Sequence, residues 1–102
     1  MPTGSIIPFR PIGTVSLTVD SASANVALAS GGDSVVVTNA TSAIVYVRLG
    51  SDTSVAASIA DMPVLPQRRI ILSANRLISY AAAVAPSGSG TVLFSRGDGS
   101  MV

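Results

Sequence analysis

The stretch Thr14-Val15-Ser16-Leu17-Thr18-Val19 alternates hydroxyl-bearing and aliphatic side chains without interruption. Successive side chains of a β-strand point to opposite faces, so an extended backbone would collect Val15, Leu17 and Val19 on one apolar face. The stretch therefore predicts a strand that buries one face in a core and turns the other toward water.

Further short segments rich in β-branched residues follow, each ended by Gly, Ser, Asp or Asn. The predicted strands cover residues 14–19, 25–29, 35–38, 43–49, 68–73, 77–84 and 91–95, with a weaker, edge-like segment at 55–59. Short strands separated by turn residues at regular intervals are typical of sandwiches and barrels. We therefore predict an all-β fold, a single antiparallel β-sandwich or barrel of about seven or eight strands.

Two connections between these segments can also be predicted. Segments 35–38 and 43–49 are separated by only four residues, which favours a hairpin. Residues 61–67 contain two prolines, and proline lacks the amide hydrogen that a central strand must donate. This stretch is therefore predicted to be a crossing loop.

Residues 1–12 differ from the rest of the chain, with three prolines, four large apolar residues and no alternation. Proline restricts φ and favours an extended, semi-rigid backbone. We predict an extended proline-rich arm at residues 1–12, a β-sandwich domain at 13–99 and a C-terminal tail at 100–102. The arm is expected to pack on its own sandwich or to lie on a neighbouring subunit, with disorder as a third alternative.

The composition excludes most catalytic chemistry, because the chain contains no Lys, Glu, His, Cys or Trp. General acid and base catalysis relies mainly on His, Glu, Asp, Lys, Tyr and Cys, and a nucleophilic Ser needs a neighbouring base. Zinc sites need Cys or His. Only an Asp pair could carry hydrolysis, and the sequence places no two Asp together. We therefore predict a protein that is not an enzyme, with no catalytic residues, cofactor or bound metal.

The low charge content predicts association with other protein surfaces. Charged residues make up 11% of the chain, against roughly 25% in ordinary soluble domains. Polar residues interrupt every apolar stretch well short of the roughly 18 residues that a spanning helix needs, so no membrane partner is expected. Net charge is +1 and the only adjacent basic pair is Arg68-Arg69, without interleaved aromatics, so no nucleic-acid partner is expected either.

Three features of the sequence have a functional and a structural interpretation. Arg96-Gly97-Asp98 matches an integrin-adhesion tripeptide but also suits an ordinary terminal turn. Asn39-Ala40-Thr41 matches a glycosylation acceptor, yet Asn is equally a good turn residue. Tyr46 and Tyr80 lie in predicted strands and are expected to pack in a core or interface rather than bind a ligand.

Several runs give the chain a likeness to a known class of proteins. They are VVTNA at 36–40, AIVYVRLG at 43–50, MPVLP at 62–66 and SGSGTVLFSRGDG at 87–99. Together they resemble small virion proteins of tailed bacteriophages, over roughly residues 13–99. The resemblance implies a β-sandwich protein present in many copies on the virion, assembled in the host bacterial cytoplasm. It assigns no role to any single residue.

Within that class, the expected function is a capsid decoration or cement subunit that bridges and stabilises neighbouring capsid proteins. The implied partners are the major capsid protein or other virion proteins, in a homo-oligomer or multi-copy assembly. Buried apolar area contributes about 25 cal/mol per Å², and the gain is repeated at every copy. Apolar residues in segments predicted not to be strands are the expected contacts. They are Ile6, Ile7, Phe9, Pro63, Val64, Leu65 and Pro66.

Two alternatives remain open at this point. One is a neck, tail or fibre-base component of the virion. The other is a module that binds a glycan or receptor on the host surface. Sugar sites commonly stack rings on aromatic side chains, and two Tyr, two Phe and no Trp are a poor supply for that purpose.

Overall fold

The computed structural model describes residues 10–29, 31–74 and 77–98, and within them the chain forms eight β-strands and no helix. The strands are β1 Arg10–Val19, β2 Ala24–Ala27, β3 Ser34–Asn39, β4 Val45–Gly50, β5 Met62–Val64, β6 Arg69–Ser73, β7 Tyr80–Val84 and β8 Gly90–Asp98. They form two four-stranded antiparallel sheets, so the predicted all-β sandwich is confirmed. The described part of the chain thus offers no long apolar helix with which to cross a membrane.

The order of strands places the free edges of the two sheets side by side. Sheet one runs β1-β8-β3-β6 and sheet two runs β2-β7-β4-β5. Strand β1 packs near β2 at one side of the sandwich. At the other side β5 and β6 are consecutive along the chain, and each is the last strand of its sheet. A short turn between them therefore joins the two sheets at this side.

The core lies between the sheets and consists mainly of small aliphatic side chains around Phe94. Its buried members are Val19, Leu28, Val35, Val37, Val45, Val47, Val64, Ala74, Ala81, Ala83, Ala85, Val92 and Phe94. In β1, Val15 and Leu17 pack against this core and Val19 is fully buried, whereas the intervening hydroxyl residues are exposed. The alternation at residues 14–19 therefore predicted both the strand and its inward face.

The predicted hairpin of residues 35–38 and 43–49 is wrong, because β3 and β4 belong to different sheets. Strand β3 pairs with β6 and β8, and β4 pairs with β5 and β7. Both strands are thus central, with a neighbour on each side. Since neither has a free edge for the other, residues 40–44 cross between the sheets instead of forming a tight turn.

The predicted crossing loop at residues 61–67 is also wrong in part, because Met62–Val64 forms β5. Pro63 lies opposite Tyr46 of β4 and is tolerated because β5 is an edge strand. An edge strand can lack a donor on the side that faces away from its neighbour. The proline rule thus excluded a central strand correctly but did not exclude an edge strand.

Residues 55–59 form no strand and instead belong to a segment, residues 51–61, that covers the outer face of sheet two. Ala57 of this segment is buried against Ala82 and Val84 of β7, with Tyr46 beside them. Two hydrogen bonds attach the segment to the region of β2: Asn25 Nδ2 donates to Thr53 O at 2.9 Å, and Ala57 N donates to Ser23 Oγ at 2.8 Å. An ion pair attaches it to β4, with Arg48 Nε 3.7 Å from Asp61 Oδ1. Packing was the expected role of Tyr46, and this second small core confirms it.

Strand β1 begins within the predicted arm. Arg10 and Pro11 pair with Asp98 and Gly97 at the end of β8, and the register shifts between Pro11 and Gly13, as in a β-bulge. Residues 1–9 of the predicted arm lie outside the described residues, as do residues 99–102 with the predicted tail.

Candidate interaction surface

Acidic side chains do not gather into a site in the described part of the chain. No group of three or more of them is placed there to hold a metal ion. Asp52 illustrates their structural use: its Oδ1 accepts hydrogen bonds from Ser54 N at 2.9 Å and from Ser54 Oγ at 2.5 Å. The Ser54 side chain and then its backbone N–H lower the pKa of Asp52 below its ordinary value. This carboxylate therefore serves a surface turn.

Arg96-Gly97-Asp98 lies in β8 and forms neither an exposed adhesive loop nor a terminal turn, so the turn prediction is wrong. Arg96 is only 2% exposed, and its guanidinium donates to the backbone oxygens of Ile78 and Gly32. A buried charge is costly unless hydrogen-bonded, and these carbonyls belong to two different loops. Arg96 thus joins those loops from inside and is not available to a receptor.

Asn39 is fully buried at the end of β3 and is the centre of a hydrogen-bond network. Its Nδ2 donates to Ala43 O at 2.8 Å, Val64 O at 2.9 Å and Leu65 O at 3.2 Å. Its Oδ1 accepts from Thr41 N at 2.9 Å. The nitrogen that glycosylation would modify therefore lies inside the protein, where it connects the end of β3 to β5.

The connection between β5 and β6 is a β-turn of residues 65–68, closed by Arg68 N donating to Leu65 O at 3.2 Å. Pro66 occupies its second position and Gln67 its third, with a φ of 58°. A β-turn whose third residue has a positive φ favours proline at its second position. Gln67 Nε2 donates to Thr41 O at 3.0 Å, so the turn is attached to the Asn39 network at this residue too.

This supported turn forms one wall of a groove at the side where β5 and β6 end the two sheets. The groove has a volume of about 440 Å³ and is lined by Pro63, Leu65, Arg68, Arg69 and Ile70. We call these five residues the β5–β6 groove. Leu65 is 54% exposed, although it is held in place by the Asn39 network. The groove is therefore an apolar surface whose backbone is fixed from within.

The rim of the groove is positively charged. Arg68 and Arg69 are both exposed. Within residues 10–29, 31–74 and 77–98, the ion pair that forms joins Arg48 and Asp61, so neither rim arginine has a salt bridge there. The planar guanidinium can make two hydrogen bonds to one carboxylate and is only weakly hydrated. Apolar side chains and acidic groups together would complement this surface.

The predicted contact residues are divided by the structure. Pro63 and Leu65 line the groove, and Pro66 is half-buried in the turn beside it. Val64 is fully buried and pairs with Val45 in the core, so it was wrongly expected at the surface. Ile6, Ile7 and Phe9 lie outside the described residues.

Sequence reasoning missed Arg68, Arg69, Ile70 and Asn39 as parts of this surface and its support. The Arg68-Arg69 pair is too small a basic patch to indicate nucleic-acid binding, and the sequence alone does not place it beside Leu65. Pro66 is the signal that could have shown a turn presenting its neighbours, because proline is favoured at the second position of a β-turn. No local signal indicates that Asn39 is buried under that turn, because its partners are up to 26 positions away in the sequence.

Comparison of the chain with protein-family models, with curated proteins and with solved structures found no match. The resemblance to phage virion proteins therefore stays a prediction from the sequence.

Proposed function

We propose that the chain is a non-enzymatic structural protein of a phage virion, a capsid decoration subunit that bridges and stabilises neighbouring capsid proteins. The observation that carries the proposal is the β5–β6 groove, an exposed apolar surface on a turn that buried hydrogen bonds hold in place. The likeness of the sequence to small virion proteins supports the virion as the place where this surface acts.

The rigidity of the turn favours binding. Association loses free energy when loops and side chains must be ordered at the interface. The backbone beside Leu65 is already fixed, because Asn39 Nδ2 holds the Val64 and Leu65 carbonyls and Gln67 holds Thr41. A partner that covers Leu65 and Pro63 therefore gains apolar burial with little further ordering of this backbone.

The low charge of the chain supports the same role. With charged residues at 11%, few side chains oppose removal from water across a protein interface. Interface cores are depleted in charged residues, whereas Arg is enriched among interface residues. The β5–β6 groove has this arrangement, with Pro63, Leu65 and Ile70 beside Arg68 and Arg69.

A small contact is sufficient for this function because it is repeated. At about 25 cal/mol per Å² of apolar area, burial of one side chain such as Leu65 contributes about 2 kcal/mol at most. One such contact is weak by itself. On a shell it acts at every position, and a subunit that contacts two capsid proteins resists their separation.

The test is binding of the purified chain to capsids assembled without it, followed by sedimentation of the particles and measurement of their heat resistance. Leu65→Asp should lose binding, since a carboxylate replaces the exposed apolar contact. Ile59→Asp is the matched control, because Ile59 is an exposed apolar residue of the segment over sheet two, outside the groove. Equal binding of both variants would contradict the role of the groove, and failure of the unaltered chain to bind would contradict the decoration function.

A further inference from the structure

Besides the β5–β6 groove, the free edge of sheet one at β6 is a surface that could bind another chain. Among the described strands, β6 is the last of its sheet and pairs with β3 alone. The bonds that flank this pairing are Asn39 N to Arg68 O and Ala74 N to Asp33 O. Antiparallel pairs alternate between hydrogen-bonded and non-hydrogen-bonded positions, so even-numbered residues of β6 direct their backbone groups to β3.

The odd-numbered residues Arg69, Ile71 and Ser73 consequently direct their N–H and C=O groups away from the sheet. No backbone hydrogen bond to these three residues is formed from the other described strands or turns on that side. Their side chains lie on the outer face, since Ile70 and Leu72 pack against the core between them. The edge therefore offers three donors and three acceptors in a regular row.

The other edge strands have features that discourage pairing with a second chain. Strand β5 has three residues, one of which is Pro63, and β2 has only four. Strand β1 contains Pro11 and a bulge, and Gly13 lies so close to the chain after β2 that a Cβ there would be 2.9 Å from Ala29 Cβ. Short length, proline, bulges and charged side chains are the usual protections of an edge. Strand β6 has five regular residues without proline or bulge, and its one charged residue, Arg69, lies at its first position.

The outward N–H and C=O groups of β6 can pair with the same groups of a second copy of the chain. In an antiparallel pair centred on Ile71, each Ile71 lies opposite the other, and each Arg69 lies opposite Ser73 of the second copy. The two arginines are then four residues apart along the strand direction, about 13 Å. That distance exceeds the roughly 8 Å Debye length at physiological salt, so their repulsion is screened. The edge is thus complementary to itself in hydrogen bonding, and the two Arg69 side chains do not lie opposite each other.

We propose that two copies of the chain dimerise through β6, forming one continuous eight-stranded sheet across a two-fold axis at Ile71. The paired residues are 69–73, so Arg69 and Ile70 of each groove belong to the paired strands, whereas Pro63, Leu65 and Arg68 lie outside them. If the proposed function holds, such a dimer carries two grooves related by the two-fold axis, and each groove could bind a different capsid protein. The dimer itself needs no virion and is tested on the purified chain alone.

Single cysteines give the sharpest test, since the chain has none of its own. Ile71→Cys places two sulfurs at the axis, where opposed Cα atoms are about 5.5 Å apart, within disulfide range. Ser73→Cys is the matched control on the same strand and face, with its two copies about 13 Å apart along the strand. Mild oxidation should yield covalent dimer for Ile71→Cys and at least about tenfold less for Ser73→Cys. Equal yields from both variants would overturn the register.

Sedimentation equilibrium then measures the dimer without a crosslink. The unaltered chain should associate to dimers, and Ile71→Lys should raise the dimer Kd about tenfold or more, because two like charges meet at the axis. Ser16→Lys, on the outer face of edge strand β1, should leave the Kd unchanged. Circular dichroism checks that both variants keep their strands. A chain that stays monomeric up to about 1 mM, or a dimer that Ser16→Lys disrupts and Ile71→Lys does not, would overturn the proposal.

Discussion

Replacing Asn39 with alanine should destabilise the protein far more than replacing another asparagine with similar bonds. The substitution removes the partner of two buried backbone groups, the Val64 carbonyl at 2.9 Å and the Thr41 N–H at 2.9 Å. A buried polar group left without a partner costs about 1–3 kcal/mol. For the two groups, relieved in part by local rearrangement, we expect a loss of about 3 kcal/mol in the free energy of unfolding.

Asn25→Ala is the matched control. Asn25 Nδ2 also donates to a backbone carbonyl, Thr53 O at 2.9 Å, but at an exposed position where water can replace it. The expected loss is therefore about 1 kcal/mol or less. Urea titration of the two variants and the unaltered chain measures both losses in the free energy of unfolding, provided that the three m-values agree. Equal losses for the two variants, or a loss below about 1 kcal/mol for Asn39→Ala, would refute the view that burial makes this network matter.

The aspartate variant of the same residue adds a test by pH. Asn39→Asp keeps the acceptor for Thr41 N–H but directs a second oxygen toward the Val64 carbonyl. Burial raises the pKa of the introduced carboxyl above its unfolded value of about 3.9, so the protonated form is favoured in the folded state. The variant should therefore be most stable below that value and lose stability as pH rises through the folded pKa. A variant whose stability, relative to the unaltered chain, rises between about pH 4 and pH 7 would contradict this assignment.

Two further predictions concern single charges. Arg96→Ala should cost about 3–5 kcal/mol, because the Ile78 and Gly32 carbonyls each lose a hydrogen bond from a charged donor, worth about 1.5–3 kcal/mol. Arg96→Lys should cost less. A loss below about 1 kcal/mol by urea titration for Arg96→Ala would show that the buried guanidinium is not needed. Asp52→Asn should lower the melting temperature slightly at neutral pH. Since the folded pKa of Asp52 lies below its ordinary 3.8, the difference from the unaltered chain should shrink as pH falls through that folded pKa, and a difference that grows with acidity would contradict the role of the Ser54 bonds.

The parts of the fold that depend on local pattern were predictable from the sequence. Val15, Leu17 and Val19 alternate with hydroxyl residues, and this period of two specifies both the strand and its buried face. The partner of a strand is a non-local property. Val35 and Val37 face the core, so Val36 faces away from it. Val36 is nevertheless only 4% exposed, because β3 is a central strand with Ile71 of β6 and Ser95 of β8 on either side of this residue. The short connection between β3 and β4 suggested a hairpin, but β3 pairs with β6 and β8 on its two edges and has no edge free for β4.

The candidate surface was predictable to a similar extent. Pro63 and Leu65 were expected as contacts because they are apolar residues of a segment predicted not to be a strand, and both line the groove. Val64 has the same local character, and only the strand direction of β5 places it in the core. Arg69 and Ile70 reach the groove because β6 follows the turn directly. The burial of Asn39 depends on residues 25 and 26 positions away, which no local pattern reports.

The number of copies of the chain in purified phage particles tests the central claim most directly. Gel densitometry against the major capsid protein measures this ratio. A decoration subunit that bridges capsid proteins is predicted to be present in numbers comparable to the major capsid protein. Absence of the chain from the particles, or a copy number limited to a small fraction of the capsid protein, would contradict that function.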